Sequence, residues 1–588
     1  MANRRKFLTQ AGRGVAAAAA GGTIRVSAAE AQAPSQDESR QGPKDVVRGK
    51  KAVAASQHPI VTRTILDVLR SGGNAIDAAV AGCVVQATVQ PEMTNHTGTV
   101  TMVYWDAKSR QAHQLISMGT LVDRLPPFRT WPANLGGFAV GAGPVACIPG
   151  FMPGMKAMLE RFGTKRWSEL IEPAIRWAEE GHIINSFQLM VLEYSFASSV
   201  YFPSGRKFFT PSGFQFAVGD RWRNPELAAA LRRSASEGPD YFITGEWARK
   251  FIAEANRMGW AIKLDDMTAT KPRWGEPLRW KHRDHEVLQL APPERQGVYT
   301  ALVLGILREL NVKSMGHYTE SAEALFYLSH ALRRAHQESG YLNDPAIFGD
   351  ATRTWLSEDY HRHIAQIFRA ARPKVDLSRH VQLTSAGPHL VAAGLPTAGS
   401  GNADQPAGSC ESVIVDEQGN WVQIMNTLQS GGIPGIVIDG IPMVGSHVNF
   451  TMDAAIGGWL APGARMRSII GNTIVLKDGK PVLSMGTPGN VHCTIPQVLS
   501  NCLDYGMEPN RAAEAPRMLP LRDDYVLEIE SRIPDKVGAD LMKMGVRIKP
   551  LPTYDYHMGS FQMAWRDAAT GLLNASADPR RAGMAGGL

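Results

Sequence analysis

The chain runs to 588 residues, 44% hydrophobic and 20% charged, with 62 basic residues against 55 acidic ones and a net charge of +7. That content supports a large buried core, and so mild a charge excess, without a basic stripe, argues against nucleic acid as a partner. Five cysteines without Cys-x-x-Cys spacing argue against a zinc site and a full disulfide framework. Cys83 and Cys147 read as packing residues, and a bridge between Cys493 and Cys502 stays open.

In chain order, Arg4-Arg5-Lys6-Phe7-Leu8, an alanine-rich stretch from Val15 to Ala20 and Ala31-Gln32-Ala33 predict a twin-arginine export signal over residues 1–33. Mature protein then begins near Pro34 and reaches the periplasm through the twin-arginine machinery. No later stretch approaches the eighteen or more apolar residues of a membrane span. Residues 34–50, rich in Gln, Ser, Pro, Lys and Asp without periodicity, predict a disordered lead-in.

Ile65, Val68 and Leu69 recur at helical spacing after His58-Pro59, and Gly72-Gly73 stops that helix. Asn74 is placed to cap a second helix running from Ala75 to Val89. Helical segments dominate onward to about 385: Pro153 to Phe162, Ser168 to Glu180, Glu226 to Ser234, Trp247 to Met258, Val298 to Leu310 and Ala322 to Gly340. From about 385 to 408 the composition turns to Gly, Ala, Pro, Ser and Asn, as in a flexible linker. Strands follow at Ser412 to Val415, Trp421 to Met425, Thr473 to Leu476 and, after an Asp478-Gly479 turn, Pro481 to Met485.

The chemistry concentrates where linker meets strand. Ser409 follows Gly408 at the mouth of the Ser412 to Val415 strand. Cutting the bond before Ser409 would give one residue both a hydroxyl nucleophile and a free α-amine, of unperturbed pKa about 7.7 to 8, to act as its base. Cys410 competes as a thiol, but cleavage before it turns the side chain to the other face of the strand.

Ser409 through Asn420, with Asp416 seven residues on, resembles the segment before which γ-glutamyltranspeptidases cut themselves, with Ser in place of the family's Thr. The likeness continues in order along the chain. It includes Ser56-Gln57-His58-Pro59, Gly72-Gly73-Asn74-Ala75, Ile148-Pro149-Gly150-Phe151, Glu172-Pro173-Ala174, Ala291-Pro292-Pro293, Asn343-Asp344-Pro345, Gly486-Thr487-Pro488-Gly489 and Ala577-Asp578-Pro579-Arg580. The resemblance implies an α+β fold, a four-layer αββα N-terminal-nucleophile hydrolase sandwich. It also implies self-cleavage between Gly408 and Ser409 into a large subunit, residues 51–408, and a small one, residues 409–588, that stay together. Thr427 matches the family's Thr whose hydroxyl bonds the nucleophile, Gln429 replaces the family's Asn, and Gly489 with Asn490 stands at the oxyanion-stabilising amides. No metal or organic cofactor is implied.

The substrate pocket departs from the family. Where the family grips a γ-glutamyl carboxylate with Arg, this chain has Leu115-Ile116-Ser117-Met118, and the family's Ser-Ser pair is Ser468-Ile469. A desolvated zwitterion needs paired charges, so a less polar acyl group is expected beside Met118, Met443 and Ile469. Arg124, Arg465 and Arg467 are alternative cations, the family's His is Glu411, and His96 is read as structural rather than catalytic. The expected activity is hydrolysis of a small-molecule amide through a Ser409 acyl-enzyme. The alternatives are a true γ-glutamyltransferase or glutathione hydrolase with a rebuilt pocket, and an uncleaved binding protein.

Overall fold

Alternation of side chains along the strand Cys410–Val415 builds the molecule's layers. Val413 and Val415 enter one apolar core and Ile414 the other, and all three are fully buried. A strand buried on both faces must lie inside the protein with a layer on each side. The computed structural model describes residues 41–119, 134–135, 138–139, 148–194, 196–257, 261–339, 342, 344–346, 349–371, 409–428, 435–443, 465, 469–520 and 525–588.

Two seven-stranded sheets form the middle layers, each wholly antiparallel. In one the spatial order is Met584–Gly587, Val53–Ser56, Cys410–Val415, Trp421–Thr427, Thr99–Asp106, Gln111–Ser117 and Arg273–Gly275. In the other it is Val47–Gly49, Leu573–Ala577, Gln562–Arg566, Lys480–Gly486, Thr473–Lys477, His285–Gln289 and Leu278–His282. The core shared by the two sheets' facing sides extends beneath helices Gln296–Leu310, Ala322–Ser339 and Val491–Leu503. The other core joins the far face of the first sheet to helices Pro59–Arg70, Ala75–Val89, Phe151–Phe162, Trp167–Glu180 and Pro225–Glu237. The architecture is αββα, as the family resemblance implies.

Local chemistry sets the helix ends. Asn74 and Asp77 form a reciprocal capping box on Ala75–Val89, and Pro59–Arg70 stops before Gly72, whose φ of 83° suits a residue without a Cβ. Each of the six helices expected later in the chain is present, with its first residue within two positions of the expected one. Asp416 accepts from the backbone amides of Ala75, at 2.9 Å, and Asn420, at 2.9 Å. One carboxylate thereby ties the hairpin turn to the start of that second helix.

Three expectations are corrected. The reading of residues 51 to 385 as mainly helical passes over Val53–Ser56, Thr99–Asp106, Gln111–Ser117, Leu278–His282 and His285–Gln289; Val53–Ser56 and Thr99–Asp106 are buried on both faces and so lack an alternating pattern. The lead-in is ordered from Gln41: Val47–Gly49 pairs with Leu573–Ala577, Gln41 donates to the Arg580 carbonyl and Lys44 to those of Asp578 and Arg581. Cys493 and Cys502 are both free, since one helix, Val491–Leu503, holds them about 13 Å apart along its axis. The export signal, Cys147 and the linker from 385 to 408 lie outside the described residues.

Candidate active site

Antiparallel register brings the two hydroxyls together. Cys410 pairs with Asn426, so Ser409 falls opposite Thr427, and their oxygens lie 2.6 Å apart. Both precede or end a strand on the side that faces the second sheet, so the pair opens the end of the inter-sheet layer. Thr427 is buried and Ser409 is half-buried. The loop before Thr99–Asp106 packs over Thr427: Gly98 lies against its carbonyl, where a Cβ would not fit, and Leu428 donates to the Met93 carbonyl.

Cys410 points the opposite way. Its thiol is sealed with Met93, Phe187, Val191 and Ala582, 3.7 Å from Gln90 Oε1, and burial holds it protonated well above its ordinary range. A thiol kept from its thiolate is a poor nucleophile. Glu92 behind it is a buried carboxyl pushed up to about 8 by desolvation.

Glu411 faces inward beside Ser409. Its Oε1 accepts from Gln423 Nε2 at 2.7 Å and Asn472 Nδ2 at 2.9 Å. Ser484 in turn donates to Gln423 at 2.7 Å and Thr101 to Asn472 at 2.7 Å, so the chain of bonds crosses from one sheet to the other. Burial drives the Glu411 carboxyl well above the usual range against the pull of its two amide donors, favouring the neutral form. It also packs on Gly486, where any side chain would collide with it. Replacement of the family's His by Glu thus supplies a hub between the sheets.

Gly486 opens the turn that carries Gly489, φ 90°, and Asn490, which begins helix Val491–Leu503. The helix's positive end therefore faces this turn. The Asn490 amide lies 3.4 Å from the His557 carbonyl, and its side-chain nitrogen donates to that same oxygen at 2.8 Å.

The feature the sequence reading missed is Arg581. Arg580 and Arg581 stand eight and seven residues from the last residue of the sequence, and both are fully buried. Arg581 Nη1 lies 3.5 Å from the Ser409 carbonyl oxygen and Nη2 lies 3.5 Å from that of Tyr556. Nη2 is also 3.4 Å from the position a Cβ would take on Gly489. The guanidinium joins the start of the Ser409 strand to the turn before Asn490. The Asp578-Pro579-Arg580 motif was the available signal: an acid two residues before an arginine suits an internal ion pair better than a solvated tail.

The expected substrate residues fare unevenly. Ser117 is buried and its hydroxyl donates to the Gly150 carbonyl at 2.6 Å, fastening helix Phe151–Phe162 to the sheet. Met118 and Met443 are core residues, and Ile469 packs partly buried on the inter-sheet core. Arg465 reaches this neighbourhood, with Nη1 3.3 Å from the Met118 carbonyl, Nη2 on that of Lys271, and the Arg273–Asp344 bridge beside it. His96 is buried edge-on to Phe151, and desolvation holds it neutral with a pKa of about 3. Gly408, Gln429, Ser468, Arg124 and Arg467 lie outside the described residues.

A family model described as gamma-glutamyltranspeptidase matches residues 62–588. The glutathione hydrolase proenzyme of Bacillus subtilis is 27% identical over 95% of this chain and 95% of its own length. An acylase ACY 1 proenzyme from a Pseudomonas species is 26% identical over 92% of this chain and 95% of its own. The crystal structure of cephalosporin acylase from Bacillus halodurans superposes with a TM-score of 0.77 over 93% of this chain and 97% of that one, at 22% identity. That last likeness bears on the fold.

Proposed function

The chain belongs to the gamma-glutamyltranspeptidase family, and we propose that within it this protein is a self-processing amidohydrolase whose nucleophile is Ser409. The observation that carries the reading is the 2.6 Å contact between the Ser409 and Thr427 hydroxyls at the end of the inter-sheet layer. Thr427 positions the oxygen and Cys410, buried and protonated, is out of contention. The precursor cuts itself between Gly408 and Ser409 into a larger chain that carries the 51–408 subunit behind its lead-in and a smaller chain of residues 409–588.

In the cut enzyme the Ser409 α-amine takes the hydroxyl proton as the oxygen attacks the amide carbonyl. The Gly489 amide, backed by the helix that follows, receives the oxyanion, with the Asn490 amide exchanging its long contact to His557 for the same task. Collapse expels the amine, which takes the proton, and water then releases the acyl group by the same route. Gln429 is assigned an amide contact to the intermediate and Ser468 with Ile469 one wall of the acyl pocket.

The acyl group is proposed to differ from γ-glutamyl. Leu115–Met118 offers no cation, and the Ser117 hydroxyl is already engaged by Gly150. One observation favours the second reading, a glutathione hydrolase with a rebuilt pocket: Arg465 brings a guanidinium to Met118. Release of the chromophore from a γ-glutamyl anilide at a rate typical of amide turnover would select that reading, while turnover of apolar acyl anilides alone would select the first.

Export by the twin-arginine route is part of the proposal, and no helix among the described residues is long and apolar enough to cross a membrane. Intact-protein mass spectrometry tests cleavage and export together. Two chains meeting at Gly408 and Ser409, the larger beginning near Pro34, and a single chain in the Ser409→Ala variant are expected. An uncut wild-type chain sinks the mechanism.

A further inference from the structure

We propose that Glu411 is a positioning residue that sets the gap between the nucleophile and the oxyanion turn, by holding the strand that Ser409 begins and the strand that ends at Gly486 at one fixed spacing. The inference rests on the reading of Ser409 as the nucleophile. It gives Glu411 no contact with substrate.

Register puts the parts in line. Ser409 and Glu411 are two residues apart at the start of strand Cys410–Val415 and so share a face. Across the inter-sheet gap, Ser484 and Gly486 are likewise two apart on strand Lys480–Gly486. A Cβ on Gly486 would lie 2.1 Å from Glu411 Oε1 and 2.6 Å from Gln423 Nε2, so the carboxyl rests directly on the Gly486 backbone. From Gly486 the chain runs through Thr487 and Pro488 to Gly489. The route from Ser409 through Glu411 and Gly486 to Gly489 therefore leaves the backbone only at that contact.

Four hydrogen bonds fix the spacer. Glu411 Oε1 accepts from Gln423 Nε2 at 2.7 Å and from Asn472 Nδ2 at 2.9 Å. Ser484 donates to Gln423 Oε1 at 2.7 Å and Thr101 to Asn472 Oδ1 at 2.7 Å, so each amide has its oxygen occupied and its nitrogen turned to Glu411. Thr101, Glu411 and Gln423 belong to one sheet, Ser484 to the other, and Asn472 leads into the strand Thr473–Lys477 of that second sheet. All five side chains are fully buried. A buried network of this kind rigidifies what it joins. The Ser409–Thr427 contact lies within one sheet, whereas Glu411 ties that sheet to the one carrying the turn. Acyl transfer is sensitive to this distance, since a misplacement of about 1 Å costs on the order of a hundredfold in rate.

The test is labelling of Ser409 by phenylmethanesulfonyl fluoride, read by mass spectrometry of the small subunit and normalised to cut chain. The Ser409 oxygen bonds to sulfur and fluoride leaves while charge gathers on a sulfonyl oxygen, so the limiting rate kinact reports nucleophile and oxyanion donors together and KI reports binding. Glu411→Gln keeps the shape and the accepting oxygen and should label within about threefold of wild type. Glu411→Leu removes the acceptor and should lower kinact about thirtyfold with KI within about threefold. A cut leucine variant with the wild-type kinact overturns the inference and leaves Glu411 a packing residue. An equal loss in the glutamine variant overturns it as well, because the acid's proton would then be what matters. If the leucine chain does not mature, the milder Thr101→Val, which removes only the donor that orients Asn472, carries the test: a fall in kinact of about threefold is expected, and an unchanged kinact overturns the inference. A wild-type chain uncut before Ser409, or label carried elsewhere, overturns the nucleophile assignment and this inference with it.

Discussion

Glu411 and Glu530 are both carboxyls without exposed surface, yet they are accommodated by opposite means. Glu530 meets Arg580 at 2.7 and 2.8 Å and Arg532 at 2.7 Å, and Asp578 close by meets Arg517 and Arg580. Glu411 has only amide donors, Gln423 and Asn472, and its Oε2 has no hydrogen-bond partner among the described residues. A buried carboxyl must either be paired or keep its proton. The difference has a local consequence: beside Ser409 burial raises the Glu411 pKa, while the paired cluster fixes the segment that carries Arg581.

The comparison breaks first at the paired cluster. Arg580→Met strands Glu530 and Asp578 without their shared cation and should cost about 3 to 5 kcal/mol in denaturant unfolding. A loss below about 1 kcal/mol would show that the pairing is not what makes those acids tolerable.

Next comes Glu411. Its pKa is raised by folding, so between the unfolded value of about 4.5 and the folded one the native state binds the extra proton, and stability falls as pH rises. Glu411→Gln should remove that slope and gain its advantage at the higher pH. Identical slopes for the two proteins would mean that Glu411 is ionised in place.

Asp578 sharpens the contrast with the opposite sign. Burial works to raise its pKa, but Arg517 and Arg580 outweigh it and hold the carboxyl below the usual range. Its stabilisation is present above the unfolded pKa of about 3.9 and is lost as pH falls through the folded one. Acid unfolding followed by tryptophan fluorescence should therefore begin below about pH 4, and Asp578→Asn should blunt that acid limb.

The smallest expected effect is at the nucleophile's partner. Thr427→Val keeps the shape and removes one hydroxyl, and should lower kcat/KM about tenfold, equivalent to about 1.4 kcal/mol, with little change in stability. An unchanged rate would leave Thr427 a packing residue.

The chain itself determined its helices, its hairpin and the position of Ser409, because each rests on neighbours close in sequence. Asn74 caps three residues ahead, Asp416 closes a turn four residues on, and Gly72 stops the helix it follows. The order of motifs was equally legible, and it carried the fold. Only the tertiary structure decided what depends on distant segments. It closed the inter-sheet network on Glu411, buried Arg581 beside a residue 172 positions away, and engaged the Ser117 hydroxyl with the Gly150 carbonyl. The physical reason is desolvation: whether a charge is a solvated tail, half of an ion pair or a group held neutral depends on what surrounds it, and here the surroundings come from strands and loops hundreds of residues apart.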